Sequence, residues 1–421
     1  MRILGKVLGA ISAAVCLAMS GMTPAAEAQL AVRAETLWTM EGSPIADGVV
    51  VIGADGKIAA VGPFGEVAIP FGMEVRRCAV ATPGLVDVRS TIGLTGIYNV
   101  PADQDQFDRG SPMQPQLRAI DAYNPRERLV AYARGFGVTT LHTGHAPGEL
   151  LSGQTMIVKT RGGTVDDAVV VREAGVAATL SPIAQKGGGQ SPGTRARMVE
   201  MLRSDLIEAR AYARKHEASD AEGKEPQSRD LKLESLARVL SGELPLIVTA
   251  NKSQDIANAL RLADEFGFRL WLDMGAESSL FADELKQRQI PVLLHPTMAR
   301  AVGDLDALSL AAATALADAG VLFAIQSGYE GYVPKVRIVL FEAAVAAGYG
   351  GLGFERGLRA VTIDAARILG IDNRVGSLAV GKDGDVAMYS GDPFEYTTRC
   401  IGVIIEGELY VGEEAFERNY P

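Results

Sequence analysis

Apolar and polar positions alternate with a period of two at both ends of this chain and with a period near 3.6 through much of its middle. From Leu30 to Ala81 short apolar runs are broken by turn residues. Val49 to Ile52 and Ile58 to Val61 flank Ala54-Asp55-Gly56-Lys57, which predicts a β-hairpin. The pattern returns late in the chain, in one run from Asp385 and another from Cys400, with Glu406-Gly407-Glu408 as a turn. Neither piece alone offers enough strands for a stable sheet. Together, residues 29–82 and 371–421 are predicted to form one small composite β-sandwich.

Residues 83–370 lie between these ends and alternate strand-like with helix-like patterns, the order expected of a parallel sheet with helical crossovers. Strands are predicted at Leu85 to Val88, Val138 to Leu141, Met156 to Lys159, Val176 to Leu180, Leu244 to Thr249, Arg269 to Met274, Val292 to Leu294 and Val321 to Ile325. The third also reads as a surface hairpin. Ala196 to His216 spaces Met198, Met201, Leu202, Leu206 and Ala209 along one helical face, and Ile256 to Phe266 does the same. Eight strands with helices between them predict an α/β fold, a (β/α)8 TIM barrel inserted into the terminal sandwich.

Three excursions interrupt the barrel. Residues 95–124 are polar, rich in Pro, Asp and Gln, and follow the first strand, so they are expected over the C-terminal mouth. Residues 219–232 read as a solvated loop. The glycine-rich stretch from Gln185 lacks the Gly-Lys-Ser/Thr of a phosphate loop and reads as a turn into a helix.

Composition adds three points. Residues 1–28 have a basic start at Arg2 and Lys6, an apolar run from Val7 to Met19 and the small-residue site Ala26-Glu27-Ala28, which reads as a signal peptide cleaved after Ala28. The alternative, an uncleaved membrane anchor, is disfavoured by an apolar core shorter than the ~20 residues of a spanning helix. The protein is therefore expected in the periplasm or secreted, with no membrane association after cleavage. The formal charge of −10 argues against nucleic-acid binding. Of three cysteines, Cys78 and Cys400 survive cleavage; export would permit a disulfide between them, and two free thiols are the alternative.

In a barrel of this type the chemistry sits at the C-terminal ends of the strands. Side chains two apart on a strand share a face, so Asp87, Arg89 and Thr91 are predicted to project together there. Arg89 brings a permanent cation that can bind a carboxylate or stabilise an oxyanion, with Asp87 and Asp273 as its natural partners. His142, His145 and His295 fall at predicted strand ends. The His-x-x-His spacing of His142 and His145 could ligate a metal with Glu149 or Asp87, or the rings could simply be hydrogen-bonded at loop starts. His216 ends a long helix as a cation near its negative pole.

The stretch PGLVDVRSTIGL, from Pro83 to Leu94, resembles the opening barrel strand of the amidohydrolase superfamily, especially its imidazolonepropionase-like branch. The likeness extends through DIANALRLADEFGFRLWLDMGAE and through AVTIDAARILGIDNRVGSLAVGKDGDVAMYSGDPFE. It implies the barrel fold and hydrolysis of non-peptide, cyclic-amide-type C–N bonds, with one or two divalent metals activating water. At the family's ligand positions this sequence has Arg89 and Thr91 for the first two histidines, Thr249 and Asn251 on strand five, and Met274 beside Asp273 on strand six. The eighth strand, FAIQSGYEG, presents Gln326 rather than an aspartate, with Glu330 just beyond. Lys159 stands one strand before the family's lysine.

The expectation is thus a divergent or weakened hydrolase without the orthodox binuclear metal mechanism. Arg89 would be the electrophile, His142, His145, Asp273 and His295 the acid-base candidates, and Asp87, Thr91, Asn251 and Gln326 the substrate contacts. No cofactor is required, with a single zinc-like ion as the exception, and a homodimer would be in keeping with large barrels of this kind. Two rivals stand beside it: a catalytically inactive small-molecule-binding barrel, or pseudoenzyme, and a structural or interaction protein.

Overall fold

A computed structural model describes residues 28–98, 100–221, 228–329 and 338–411. The expected signal peptide, apart from Ala28, lies outside these residues, as do Glu330 and part of the 219–232 loop.

The terminal β patterns become the strands β1 Ala28–Leu37, β2 Ile45–Gly53, β3 Ile58–Pro63 and β4 Glu74–Pro83. The middle of the chain supplies β5 Leu85–Ser90, β6 Val138–Gly144, β7 Leu151–Lys159, β8 Val169–Thr179, β9 Leu246–Ala250, β10 Leu270–Met274, β11 Val292–Leu294 and β12 Phe323–Ile325. The chain then returns as β13 Val386–Tyr389, β14 Cys400–Ile405 and β15 Glu408–Val411. Both ends meet, and they do so in one continuous sheet, in the order β15-β14-β13-β4-β1-β2-β3, where a small composite sandwich was expected. Of the two readings of the cysteines, the structure has the unbonded one: Cys78 on β4 and Cys400 on β14 are free thiols. With β13 between their strands the two lie two ladder spacings apart, roughly 10 Å, beyond the ~7 Å that a bridge spans.

The eight strands β5 to β12 form a second sheet in sequence order. Five of its pairings are parallel, but β7 runs antiparallel to both β6 and β8, so the sheet is not the uniformly parallel one expected. The cause is loop length. Only residues 145–150 join β6 to β7, too few for the helical crossover that a parallel pair needs, so the chain turns back as a hairpin. The sheet is nearly closed: beyond β12, the Gly328 N–H donates to the Arg89 carbonyl at 3.2 Å, bringing the last strand back to the first. Apolar inward residues Ile247, Trp271, Leu293 and Ala324 fill the floor with Val86 and Val88, against Ala365, Ile368 and Val375 below. The helices Arg195–Ala221 and Ser253–Phe266 stand where their periodicity placed them. Among the described residues no helix is long and apolar enough to cross a membrane.

The reversal of β7 sends Lys159 to the floor. There its ammonium, fully buried, meets Asp385 at 2.5 Å and Asp383 at 3.1 Å, between the barrel and the terminal sheet. Lys57 and Arg374 add further contacts to Asp383. Burial works against the Asp383 charge, but Lys159, Lys57 and Arg374 outweigh it and hold the carboxyl below its ordinary value of 3.8. Its contribution to stability is therefore full above pH 3.8 and is lost as the pH falls through the lower folded value.

Lys159→Met leaves Asp385 buried and unpaired and is expected to cost about 3–5 kcal/mol in urea unfolding. A loss below about 1 kcal/mol would show that the network contributes little net stability.

Candidate functional site

Each mouth residue stands where a strand runs out. On β9 to β12 the inward positions two beyond the apolar floor are Thr249, Asp273, His295 and Gln326. The Thr249 hydroxyl donates to one Asp273 oxygen at 2.5 Å, and the Gln326 amide donates to the other at 2.8 Å and to the Leu293 carbonyl at 2.6 Å. Asp273 is thus capped on both oxygens by neutral donors.

On β5 strict alternation fails. The pairing with β6 is irregular between Asp87 and Ser90, and the three residues expected to project together separate. Arg89 and Thr91 line a small mouth cavity of about 10 Å³ with Asp273, Met274, Gln326 and Tyr329. Asp87 turns instead to the seam, where its carboxylate accepts from the Ser327 N–H at 3.1 Å, the Ser327 hydroxyl and the Arg89 N–H at 3.3 Å. Complete burial nevertheless outweighs these donors and raises its pKa from 3.8 to about 7. Ser327 was missed in sequence; the signal was its place next to Gln326 at a strand end.

Arg89 is buried, only 3% exposed. Its guanidinium donates to the carbonyls of His145 and, at 3.3 Å, Ser90, while Nε has no partner. The expected partners Asp87 and Asp273 form no contact ion pair with it. They act at longer range, favouring a charge that burial disfavours.

The histidines do not converge. The His142 Nδ1–H donates to the Val88 carbonyl at 2.7 Å and Nε2 accepts from Thr155 at 2.7 Å, with the ring edge-on to Trp271. Burial, then Arg89, lowers its pKa to about 3, so it is a neutral, satisfied core residue rather than an acid-base group. Burial likewise lowers His295 to about 4; its Nδ1 lies 3.1 Å from the Pro296 carbonyl and its Nε2 is unpartnered. His145 is different: it is buried, neither ring nitrogen makes a well-formed hydrogen bond, and burial, then Arg89, lower it to about 4 against the opposing pull of Asp108 and the Gln106 backbone. Among the described residues, no three His, Cys, Asp or Glu side chains are placed to share a metal ion.

Two expected contacts have other partners. Asn251 donates to Asp304 at 3.1 Å, and Thr91 accepts from Thr95 at 2.9 Å. Glu149 is buried against Lys186 of the glycine-rich stretch, away from the His142 nitrogens. The 95–124 excursion does cover the mouth: Gln106 bonds Tyr329 at 3.2 Å, and the Ala146 N–H reaches the Gln106 carbonyl at 2.7 Å.

Residues 295–411 match the amidohydrolase family. Over the whole fold the chain is similar to the crystal structure of an amidohydrolase from Thermotoga maritima, with TM-score 0.85, 28% identity and coverage of 90% of this chain and 99% of that one. It is also similar to an adenosine deaminase from Xanthomonas campestris with bound zinc, with TM-score 0.54, 17% identity, and coverage of 92% and 94%. A prolidase complexed with N-methylphosphonate-L-proline matches with TM-score 0.58, 14% identity, and coverage of 91% and 99%. No protein of curated function matches the chain in sequence. The chain thus has the hydrolase fold of the amidohydrolase superfamily.

The buried titratable groups set a pH dependence. Below pH 6.5 the unfolded chain protonates three histidines that the fold keeps neutral, which weakens folding as the pH falls towards 4. Asp87 works the other way, favouring the folded state on acidification between about 7 and 3.8. Three protons against one leave a net loss of stability on going from pH 6.5 to 4.5. His295→Gln is expected to flatten that slope in urea titrations, and Asp87→Asn to steepen it.

Proposed function

We propose that this protein is an exported, divergent hydrolase of C–N bonds in small molecules, of the cyclic-amide type, working without a catalytic metal. The observation that carries it is the pairing of Arg89 and His145: a buried cation with an unpartnered Nε, bonded to the backbone of a buried histidine whose two ring nitrogens are also unpartnered. Leaving such polar atoms without protein partners costs free energy, which an enzyme recovers when substrate supplies them.

The donors at the mouth do not fit the divalent ion of the wider superfamily. Both Asp273 oxygens and Asp87 are engaged by hydrogen-bond donors, His142 has no free nitrogen, and a guanidinium stands among them. The chemistry is therefore assigned to the side chains. Arg89 polarises the amide carbonyl, and neutral His145 takes a proton from water as its oxygen adds to that carbon. The C–N bond then breaks as His145 returns the proton to the leaving nitrogen.

A second reading, a binding barrel without turnover, is favoured by the same saturation of Asp87 and Asp273, which leaves neither carboxylate free to act as a base. Purified protein treated with chelator and offered a panel of small cyclic amides separates the two. Metal-independent hydrolysis, reduced by about 10²–10³ in Arg89→Met, is expected. Loss of activity on chelation, with stoichiometric metal beforehand, would overturn the metal-free assignment; binding without hydrolysis would establish the second reading.

A further inference from the structure

The 95–124 excursion does more than cover the barrel. Between it and the β6–β7 connection lies a cleft of about 330 Å³, with Asp105 and Asp108 at its rim and Phe107, Gln116, Leu117 and His145 further in. That volume is at the small end of the range for small-molecule sites, roughly 300–1,000 Å³.

Its charges do not balance. Arg118 and Asp121 neutralise each other in a two-bonded pair, with distances of 2.9 and 2.7 Å. Among the described residues Asp105 has no side-chain hydrogen bond or ion pair, and the Asp108 carboxylate accepts only the N–H of Gly110 at 2.7 Å. Two carboxylates at the rim therefore have no cation of their own. The nearby cations are otherwise placed: Arg109 lies 5.3 Å over the Phe107 ring, and Arg89 donates to the carbonyl of His145.

Inside the rim the surface is apolar, from Phe107, Leu117 and Ala122, and ends at buried polar atoms that lack partners. These are the two ring nitrogens of His145, which is 5% exposed, and Oε1 of Gln116. A neutral imidazole has one nitrogen that accepts, and an amide oxygen accepts as well. Acceptors inside and anions outside ask for a ligand rich in donors whose positive charge sits at the rim, because the Arg89 charge disfavours a second cation at the His145 ring more than Asp108 favours one. Among the described residues no three metal-ligating side chains converge here, so the cleft offers a divalent ion no coordination set.

We infer that this cleft binds a small organic cation, a primary ammonium or amidinium carried on an apolar body. The N–H groups meet His145, Gln116 and the Asp105 and Asp108 carboxylates, and the apolar body packs on Phe107 and Leu117. Binding rests on the cleft alone; that the bound molecule is also the substrate rests on the hydrolase reading above, and would make the substrate an amide bearing an amino group.

The test is calorimetric titration of the full chain with benzylammonium, benzyl alcohol and benzoate at low and high salt. Benzylammonium should bind, weaken with salt, and lose about tenfold in affinity in the Asp105→Asn, Asp108→Asn double variant. Because both acids are exposed, that variant should retain the fold. His145 ring nitrogen resonances, assigned with His145→Gln, should shift on binding. Benzoate or the alcohol binding as tightly as the amine, or an unchanged affinity in the double variant, would overturn the inference. Amine binding without hydrolysis of any amino-bearing amide would uphold it and count against the hydrolase reading.

Discussion

A cylinder of strands is complete only when the last strand finds the first, and here that link is made by a carboxylate. Between β12 and β5 the Ser327 N–H and hydroxyl converge on Asp87, and the Gly328 N–H reaches the Arg89 carbonyl. The constraint reaches into the mouth: the irregularity that turns Asp87 to the seam also carries Arg89 towards the interior. The residue that closes the barrel and the residue that charges its opening are thus two steps apart on one strand. Changing either alters the other's surroundings.

Burying a guanidinium at that place is expensive, and the fold offsets the cost in distributed form. Two backbone carbonyls accept from it, while Asp87 and Asp273 supply compensating charge without touching it. Close ion pairs would have consumed the whole guanidinium. The looser arrangement keeps Nε unengaged, and the nearby charge helps burial to keep His145 neutral.

Much of this was legible in the sequence. Short β-branched runs such as Leu246 to Thr249 and Val292 to Leu294 stand out between turn residues, and all eight barrel strands fall where such runs occur. Strand direction was not legible in the same way, because alternation is identical for both directions; only the six residues between β6 and β7 carried that information. The site was harder still. Spacing grouped His142 with His145, yet one is inside the barrel, bonded to Thr155, and the other lines a cleft under the excursion. Adjacency along a chain says nothing of which side of a sheet a loop will fold over. The unpaired acids at Asp105 and Asp108 read merely as loop polarity until the fold set a buried ring beneath them.

The interleaving of the two ends has a consequence for the newly made chain. β4 has β1 on one side and β13 on the other, so its second edge stays open until residues beyond 385 have been synthesised. Lys159, made more than two hundred residues earlier, likewise waits for Asp383 and Asp385 before it can be desolvated. Nascent polypeptide therefore cannot settle domain by domain from its amino terminus. It must hold a sticky strand edge and an unmatched ammonium apart from the solvent-free interior until almost its last residues emerge.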